Sequence, residues 1–212
     1  MTSRRTRRAE VGTEGAAPGA PGREVVLGTD RLLLRPWRVA EAVVQRELWS
    51  ERDPRVPPHR RIDADGHPTV AELEEAIRAG APAATTGLLA IERRSAGDVI
   101  GYCGLVDTGR GADDEPELAF ELLRRTWGQG YATEASLAVL DWARSSGHAR
   151  LWATVWDWNT ASRRVLAKLG FTETGRTVVD PDRGTTLVTS KRLGPTGLRP
   201  AVDPPPSPPS LG

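Results

Sequence analysis

A glycine-containing loop is the part of this sequence whose residue types most directly suggest chemistry. The loop reads RTWGQG over residues 125–130 and lies between an extended run, residues 117–123, and a helical run that begins near Tyr131. Glycine has no Cβ, so a bound group can approach the backbone closely while several N–H groups turn toward it. The unpaired N–H groups and the positive end of the helix that follows favour negative charge. The loop therefore predicts a site for a phosphate or another anion.

Glycines between a strand and a helix can also serve only to form the turn that separates the two elements. Two other phosphate loops do not fit the spacing. A Rossmann dinucleotide loop needs a third glycine near Thr133, and a P-loop needs Gly-Lys followed by Ser or Thr, and the sequence has neither. The order of the flanking elements must decide between a purely structural turn and an anion-binding site.

The run before the loop alternates in character, as a strand does. Leu118, Phe120 and Leu122 fall on one side, and Glu117, Ala119 and Glu121 fall on the other. One face is therefore predicted to be buried, while the other can hold carboxylates.

The composition excludes several function classes. The 212 residues include 29 basic and 28 acidic side chains, a net charge of +1 that argues against nucleic acid or an anionic membrane as a partner. The single cysteine, Cys103, lies in an apolar run and reads as a core residue, and the three histidines have no metal-site spacing. No apolar run approaches the roughly 20 residues of a membrane span, and no signal region is visible, so we expect a cytoplasmic protein.

The two ends of the chain differ from its middle. Residues 1–24 are rich in Arg, Gly and Pro and are predicted to be a disordered arm, with a basic arm that touches RNA as the alternative. Residues 195–212 are Pro-rich and are predicted to be a disordered tail. One domain is expected over residues 25–194.

Periodicity and turn residues predict the elements of that domain. Strands are expected at 31–37, 86–93, 99–107, 117–123, 151–156, 171–179 and 185–193. Helices are expected from Val39 to about Trp49, from a Thr69/Glu72 capping box to Gly80, at 131–146 and at 159–169. The fold class is therefore α/β, a mixed and mostly antiparallel sheet of about seven strands flanked by four helices. Gly101 and Gly104 are unusual inside a strand and suggest a bulge or the close approach of a ligand or a helix.

This order of elements, together with the loop, resembles the GNAT superfamily of acetyl-CoA-dependent N-acetyltransferases. Three signals occur jointly: the loop extended by YATEA over 131–135, Asn159-x-x-Ser162 followed by KLGF over 168–171, and RLLLRP over 31–36. Together they resemble the Rim-type branch, whose members acetylate protein N-termini, small amines or antibiotics. The resemblance covers residues 29–193.

The resemblance implies where coenzyme A binds. Its pyrophosphate would lie on the loop amides, and its pantetheine arm would pair with strand backbone as another strand does. The implied cofactor-binding residues are Leu122, Leu123, Arg125, Gly128, Gln129, Gly130, Tyr131, Ala132, Thr133 and Asn159. Strand 151–156 would also splay away from strand 117–123, leaving a notch where the thioester meets an amine.

Attack of a neutral amine on a thioester needs a proton acceptor and help for the leaving thiolate. Many members carry a tyrosine on the last helix for the thiol, but Leu166 stands there in this sequence. Ser162, one turn earlier, is the substitute, unless it only solvates the helix. Glu117 and Glu121 are the candidate bases, with surface ion pairing as the alternative for each.

The acceptor is expected to be a primary amine, either a protein N-terminus or a small molecule. Deprotonating a lysine at pH 7 costs roughly 4 to 5 kcal/mol, whereas an α-amine costs only about 1 to 1.5 kcal/mol. The lack of an obvious dedicated base therefore favours an α-amine. The acceptor side would be built from the loop Asp53–Pro68, the first two helices and the terminal hairpin, whose Asp180 and Asp182 could reach the acceptor.

Acetyl-CoA as cosubstrate, no metal, and a monomer or homodimer complete the expectation. A coenzyme A-binding sensor that kept the anion nest and lost turnover is the alternative function, motivated by the missing tyrosine.

Overall fold

The computed structural model describes residues 27–80, 87–109 and 115–194. The predictions for the arm at 1–24 and the tail at 195–212 lie outside these ranges. The strands are β1 (Leu27–Gly28), β2 (Leu32–Arg35), β3 (Gly87–Arg93), β4 (Val99–Val106), β5 (Glu117–Leu122), β6 (Arg150–Trp156), β7 (Thr172–Asp180) and β8 (Gly184–Arg192). The α-helices are α1 (Ala42–Glu51), α2 (Val70–Ala79), α3 (Tyr131–Ser145) and α4 (Thr160–Lys168).

The described strands form one sheet of eight, in the order β1-β2-β3-β4-β5-β6-β8-β7. Neighbouring strands are antiparallel except β5 and β6, which are parallel. The predicted α/β domain with four helices and a mixed sheet is confirmed. The strand beyond the predicted seven is β1, two residues long and too short to leave a periodic pattern in the sequence.

One face of the sheet carries the main apolar core under α3 and α4. The core joins strand residues such as Leu105 and Leu118 to Val139 of α3 and Leu166 of α4. Cys103 is fully buried in this cluster, and burial raises the pKa of its thiol to about 12. The burial confirms the expectation of a core cysteine. Because the thiol stays neutral, it is also unreactive.

The opposite face, here called the carboxylate face, bears Glu117, Ala119 and Glu121 of β5. Helix α1 packs on α2 and contacts β4, and Arg52, its C-cap residue, reaches Glu121. Helix α2 begins with the predicted capping box: Thr69 N–H donates to the Glu72 carboxylate at 2.7 Å, and Glu72 N–H donates to Thr69 Oγ1 at 3.3 Å.

Strands β5 and β6 pair only where they begin. Their register contains the single pair Glu117 and Trp152, beside a hydrogen bond from Trp152 N–H to the carbonyl of Pro116 at 3.0 Å. Beyond this point the two strands diverge. The splay that the family resemblance implied is therefore present, and it opens a notch in the middle of the sheet.

Gly104 lies where β4 passes unusually close to β3. A Cβ at this position would lie 1.8 Å from the carbonyl oxygen of Gly87, nearer than any real Cβ contact. The sequence predicted the approach of a ligand or a helix here, and the structure shows that a neighbouring strand makes the approach instead.

The loop before α2 carries a pH-sensitive pair. His67 Nδ1 lies 2.7 Å from a Glu72 carboxylate oxygen, and this hydrogen bond raises the pKa of His67 above its ordinary 6.5. Because the folded-state pKa is raised, the stabilisation is complete below pH 6.5 and is lost as the pH rises through the folded-state value. We expect NMR titration of His67 to show a lower midpoint in Glu72→Gln than in the wild type. An unchanged midpoint would contradict the pairing.

Candidate active site

The glycine loop turns directly from β5 into α3. A short 3-10 turn at Arg124–Thr126 follows β5, and Gly128 and Gly130 then adopt φ of 74° and 82°. This left-handed backbone favours glycine because a side chain would be strained there. The first hydrogen bond of α3 runs from Glu134 N–H to the carbonyl of Gly130 at 3.0 Å. The loop thus ends where the helix dipole begins.

The amides of this loop have no partner in the described part of the chain. None of the N–H groups of residues 128–133 donates a hydrogen bond to a described backbone or side-chain group. The last three belong to the first turn of α3, where an α-helix leaves its donors unpaired. A Cβ built at Gly128 meets no atom within 4 Å. The predicted nest is therefore open and its donors are available.

Three contacts fix the start of the loop. Trp127 donates its indole N–H to the carbonyl of Leu122 at 2.7 Å, although its side chain is 56% exposed. Arg124 N–H donates to the Glu51 carboxylate at 2.7 Å, and Arg125 pairs with Glu47. Arg125, expected to bind the cofactor, thus contacts α1 in this structure. The tryptophan contact was missed from the sequence because the motif leaves that position free.

Arg31, immediately before β2, supports the other end of the loop. Its guanidinium donates to the carbonyl of Gln129 at 3.1 Å, forms an ion pair with Glu134 and stacks over the Tyr131 ring at 4.5 Å. Burial raises the pKa of Glu134, but hydrogen bonds from Thr29 and Arg31 outweigh burial and lower it. A cavity of about 540 Å³ opens beside this contact, lined by Gly130, Thr133 and Lys168 among others.

The backbone groups that face the notch are those of alternate residues of β5. Leu123 N–H donates to the carbonyl of Ile100 in the segment of β4, at 2.9 Å, and the Leu123 carbonyl accepts from Thr126. Both groups of Leu123 are thus engaged. Since backbone groups alternate in direction along a strand, those of Phe120 and Leu122 point away from β4 and into the notch. Sequence reasoning missed Phe120 because the alternation does not say which edge of a strand is open.

Glu117 closes the narrow end of the notch. It is 7% exposed, and its Oε1 accepts hydrogen bonds from Thr154 N–H of β6, at 3.0 Å, and from the Thr154 hydroxyl. Its Oε2 accepts from the Thr108 hydroxyl at 3.1 Å. The carboxylate therefore replaces the backbone partner that Thr154 loses when β6 leaves β5.

Glu121 lies farther along β5, in an ion pair. Arg52 donates to both of its carboxylate oxygens, at 2.7 to 3.2 Å, and the Tyr102 hydroxyl donates to Oε2 at 2.7 Å. Burial raises the pKa of Tyr102, so its proton stays on the ring oxygen. Two side chains thus donate to Glu121. No local sequence pattern predicts the pair with Arg52, because the two residues are 69 positions apart.

The start of α4 brings Asn159 and Ser162 together. Asn159 is the N-cap, and its side-chain oxygen accepts from Ser162 N–H at 3.1 Å. The Ser162 hydroxyl is half-buried and has no hydrogen-bond partner in the described ranges. Leu166, one turn later, is 3% exposed and belongs to the core.

Trp158 joins the elements expected to surround the acceptor. It follows β6, stacks nearly parallel to Trp156 with ring centres 6.0 Å apart, and donates its indole N–H to the carbonyl of Arg183 at 2.8 Å. The Arg55 guanidinium lies over its ring at 3.9 Å. The loop after α1, the end of β6 and the terminal hairpin therefore meet at this residue.

Asp180 is committed to the hairpin turn. It forms an ion pair with Arg183 at 2.7 Å and accepts the N–H of Asp182 at 3.0 Å, and the Arg183 hydrogen bond is the main cause that lowers the pKa of Asp180. Asp182 lies in the same turn.

No group of three or more His, Cys, Asp or Glu side chains in the described residues is placed to hold a metal ion. Among the helices of these residues, none is long and apolar enough to cross a membrane.

A splayed sheet with an amide-lined loop at its opening is the arrangement of an acyltransferase that binds coenzyme A. The family model described as the acetyltransferase (GNAT) domain matches residues 31–172, and the chain belongs to this family. Its cosubstrate is accordingly acetyl-CoA.

Individual relatives agree with this assignment. The uncharacterized N-acetyltransferase p20 of Bacillus licheniformis is 29% identical over 153 residues, which cover 70% of this chain and 83% of that protein. The fold is similar to that of RimJ of Mycobacterium smegmatis, solved with CoA-disulfide, with a TM-score of 0.61, 22% identity and coverage of 81% and 89% of the two chains. It is also similar to yncA of Salmonella typhimurium, solved with acetyl-CoA, with a TM-score of 0.56, 23% identity and coverage of 76% and 94%.

Blocking the nest should remove the response to acetyl-CoA. Saturating cosubstrate should raise the free energy of unfolding by roughly 2 to 4 kcal/mol through mass action. In Gly128→Val the side chain fills the space where the diphosphate approaches, so most of this gain should vanish in denaturant unfolding with and without acetyl-CoA. Gly147→Val is the matched control, because Gly147 also has positive φ and open space but lies at the far end of α3. Equal gains in both variants would contradict the nest.

Proposed function

We propose that this protein transfers the acetyl group of acetyl-CoA to a primary amine, and that the acceptor is an α-amine. The observation that carries the proposal is the pairing of two features: unpaired amides over residues 128–133, and a notch that starts just past Glu117. The first holds the diphosphate and the second admits the thioester.

The acetyl-pantetheine arm enters the notch as an extra strand. The backbone groups of Phe120 and the N–H of Leu122 are its partners on β5, since those of Leu123 are engaged by Ile100 and Thr126 and the Leu122 carbonyl accepts from Trp127. The diphosphate takes the amides of residues 128–133, where Thr133 adds a hydroxyl. Trp127 holds the Leu122 carbonyl in place at the mouth.

The amine attacks the thioester carbon from the carboxylate face. The bond from nitrogen to the acetyl carbon forms, the carbon–sulfur bond breaks, and the proton of the amine must leave the site. Glu121 is held by Arg52 and Tyr102, whereas Glu117 lies at the notch and accepts hydrogen bonds from the neutral donors of Thr108 and Thr154. Glu117 is therefore our proposed proton acceptor, acting through water. Ser162 supplies the hydroxyl that assists the leaving thiolate in place of the missing tyrosine.

An α-amine suits this arrangement better than a lysine. A carboxylate that acts through water is a weak base, and an α-amine near pKa 8 is partly neutral at pH 7 without help. Rim-type proteins with this fold, whose branch the sequence resembles, support a peptide N-terminus or a small amine as acceptor.

The substitution Glu117→Gln separates the roles of this residue. Glutamine keeps an oxygen for Thr154 N–H but cannot take a proton, so kcat should fall about 100-fold while the affinity for acetyl-CoA stays unchanged. The deficit should shrink as the pH rises toward 8, where more of the α-amine is already neutral. Thiol release measured from pH 6 to 9 tests this, with Ser162→Ala measured in parallel. A deficit constant across the pH range would indicate a purely structural role.

A screen of amines and N-terminal peptides, read by mass spectrometry and by release of free coenzyme A, tests the function itself. Acetylation of an α-amine is expected. A coenzyme A-binding sensor is the second candidate, favoured by the buried Leu166 at the tyrosine position. Binding of acetyl-CoA without thiol release for every acceptor would support the sensor and overturn the transferase.

A further inference from the structure

Arg61, on the proposed acceptor side of the molecule, is a cation without a side-chain partner among the described residues. Its Nε is buried and makes no hydrogen bond, and no ion pair or ring contact joins its guanidinium to a group in the described part of the chain. A guanidinium is always charged, and buried donors are almost always satisfied in native proteins. The unpartnered buried N–H and the charge of the guanidinium therefore suit an anion that the described part of the chain does not supply.

The position of Arg61 follows from its neighbours. Arg52 Nη1 donates at 3.0 Å to the carbonyl of the peptide bond that joins Arg60 to Arg61, while Arg52 Nη2 lies 2.7 Å from the Glu121 carboxylate. The backbone of Arg61 is thus two hydrogen bonds away from β5, on the carboxylate face. A further bond, from Arg61 N–H to the carbonyl of Pro58 at 3.0 Å, holds the turn.

The loop that carries Arg61 spans the open end of the notch. At one end of this loop, Arg52 contacts Glu121 of β5. A few residues later, Arg55 lies over the ring of Trp158, which follows β6. The segment 52–61 therefore passes from one diverging strand to the other, where an amine must enter to reach the thioester.

Three carboxylates near this loop have other partners. Asp53 forms an ion pair with Arg55, and Glu121 forms one with Arg52. The Asp63 carboxylate accepts hydrogen bonds from the N–H groups of Asp65 and His67. None of them neutralises Arg61.

We infer that Arg61 recognises a carboxylate on the acceptor, so that the preferred acceptors are amines bearing a negative charge a few bonds from the nitrogen. This inference rests on the proposed acetyl transfer and names its substrate class. Two sources share this chemistry: the α-carboxylate of a free amino acid, and an acidic side chain at the second position of a peptide. A planar guanidinium binds either one with two parallel hydrogen bonds.

Matched acceptor pairs that differ only in charge test the inference. One pair is a free amino acid and its carboxamide, and the other is a C-terminally amidated peptide beginning Ala-Asp and its Ala-Asn counterpart. In the wild type, kcat/KM for the charged member of one pair should exceed that of the neutral member by about 10- to 100-fold, the range for a hydrogen bond to a charged group. The pair that shows the preference identifies the source of the carboxylate.

Substitutions assign the preference to Arg61. Arg61→Gln should bring the ratio to about one, and Arg61→Lys, which keeps the charge without the planar fork, should retain part of it. Arg60→Gln is the matched control, because Arg60 is an exposed neighbour of the same charge. A ratio near one in the wild type, or a ratio that survives Arg61→Gln, would overturn the inference.

Binding of each compound to the protein saturated with coenzyme A is measured beside turnover. If no compound is acetylated, the proposed transfer fails, yet tighter binding of the charged member that is lost in Arg61→Gln still supports the anion site. Equal binding of both members in every pair, together with equal turnover or none, contradicts it.

Discussion

The separation of β5 from β6 is the constraint on which the rest of this site depends. A parallel pair of strands in the middle of a sheet normally continues its hydrogen bonds, and ending the pairing early leaves backbone donors without partners, which is costly when they are buried. Here Glu117 accepts the N–H of Thr154 just past the last paired residues. One buried carboxylate thereby stabilises an opening in the sheet, and that opening is where a second molecule can pair with the strand.

The glycine loop follows from the same break. Its amides are unpaired because the backbone turns through two left-handed glycines into the first turn of α3, and neither conformation offers a carbonyl to these donors. In many proteins such groups would face only water. Here they lie at the end of the strand that borders the notch, so the unpaired amides and the open edge of β5 adjoin each other.

Local sequence signals predicted most of the fold and the open glycine loop. The capping box at Thr69, the alternation in β5 and the glycine loop each depend on neighbours within a few positions, so their spacing is visible in the sequence. The acceptor half depends on distant partners. The ion pair of Arg52 with Glu121 and the stacking of Arg55 on Trp158 join segments that only the folded sheet brings together. The single open edge of β5 likewise could not be read from alternation, which explains why Leu123 was expected at the notch and Phe120 was not.

Helix α1 touches both halves of the site. Glu47 and Glu51 hold the two arginines that begin the glycine loop, and the next residue, Arg52, holds Glu121 on the acceptor side. A shift of this one helix end would be felt at both places. If binding of the cosubstrate fixes the position of α1 and this raises the affinity for the acceptor, then the acceptor must raise the affinity for the cosubstrate by the same factor. The short helix thus gives the glycine loop and Glu121 one common support, so a displacement at either place can be transmitted to the other.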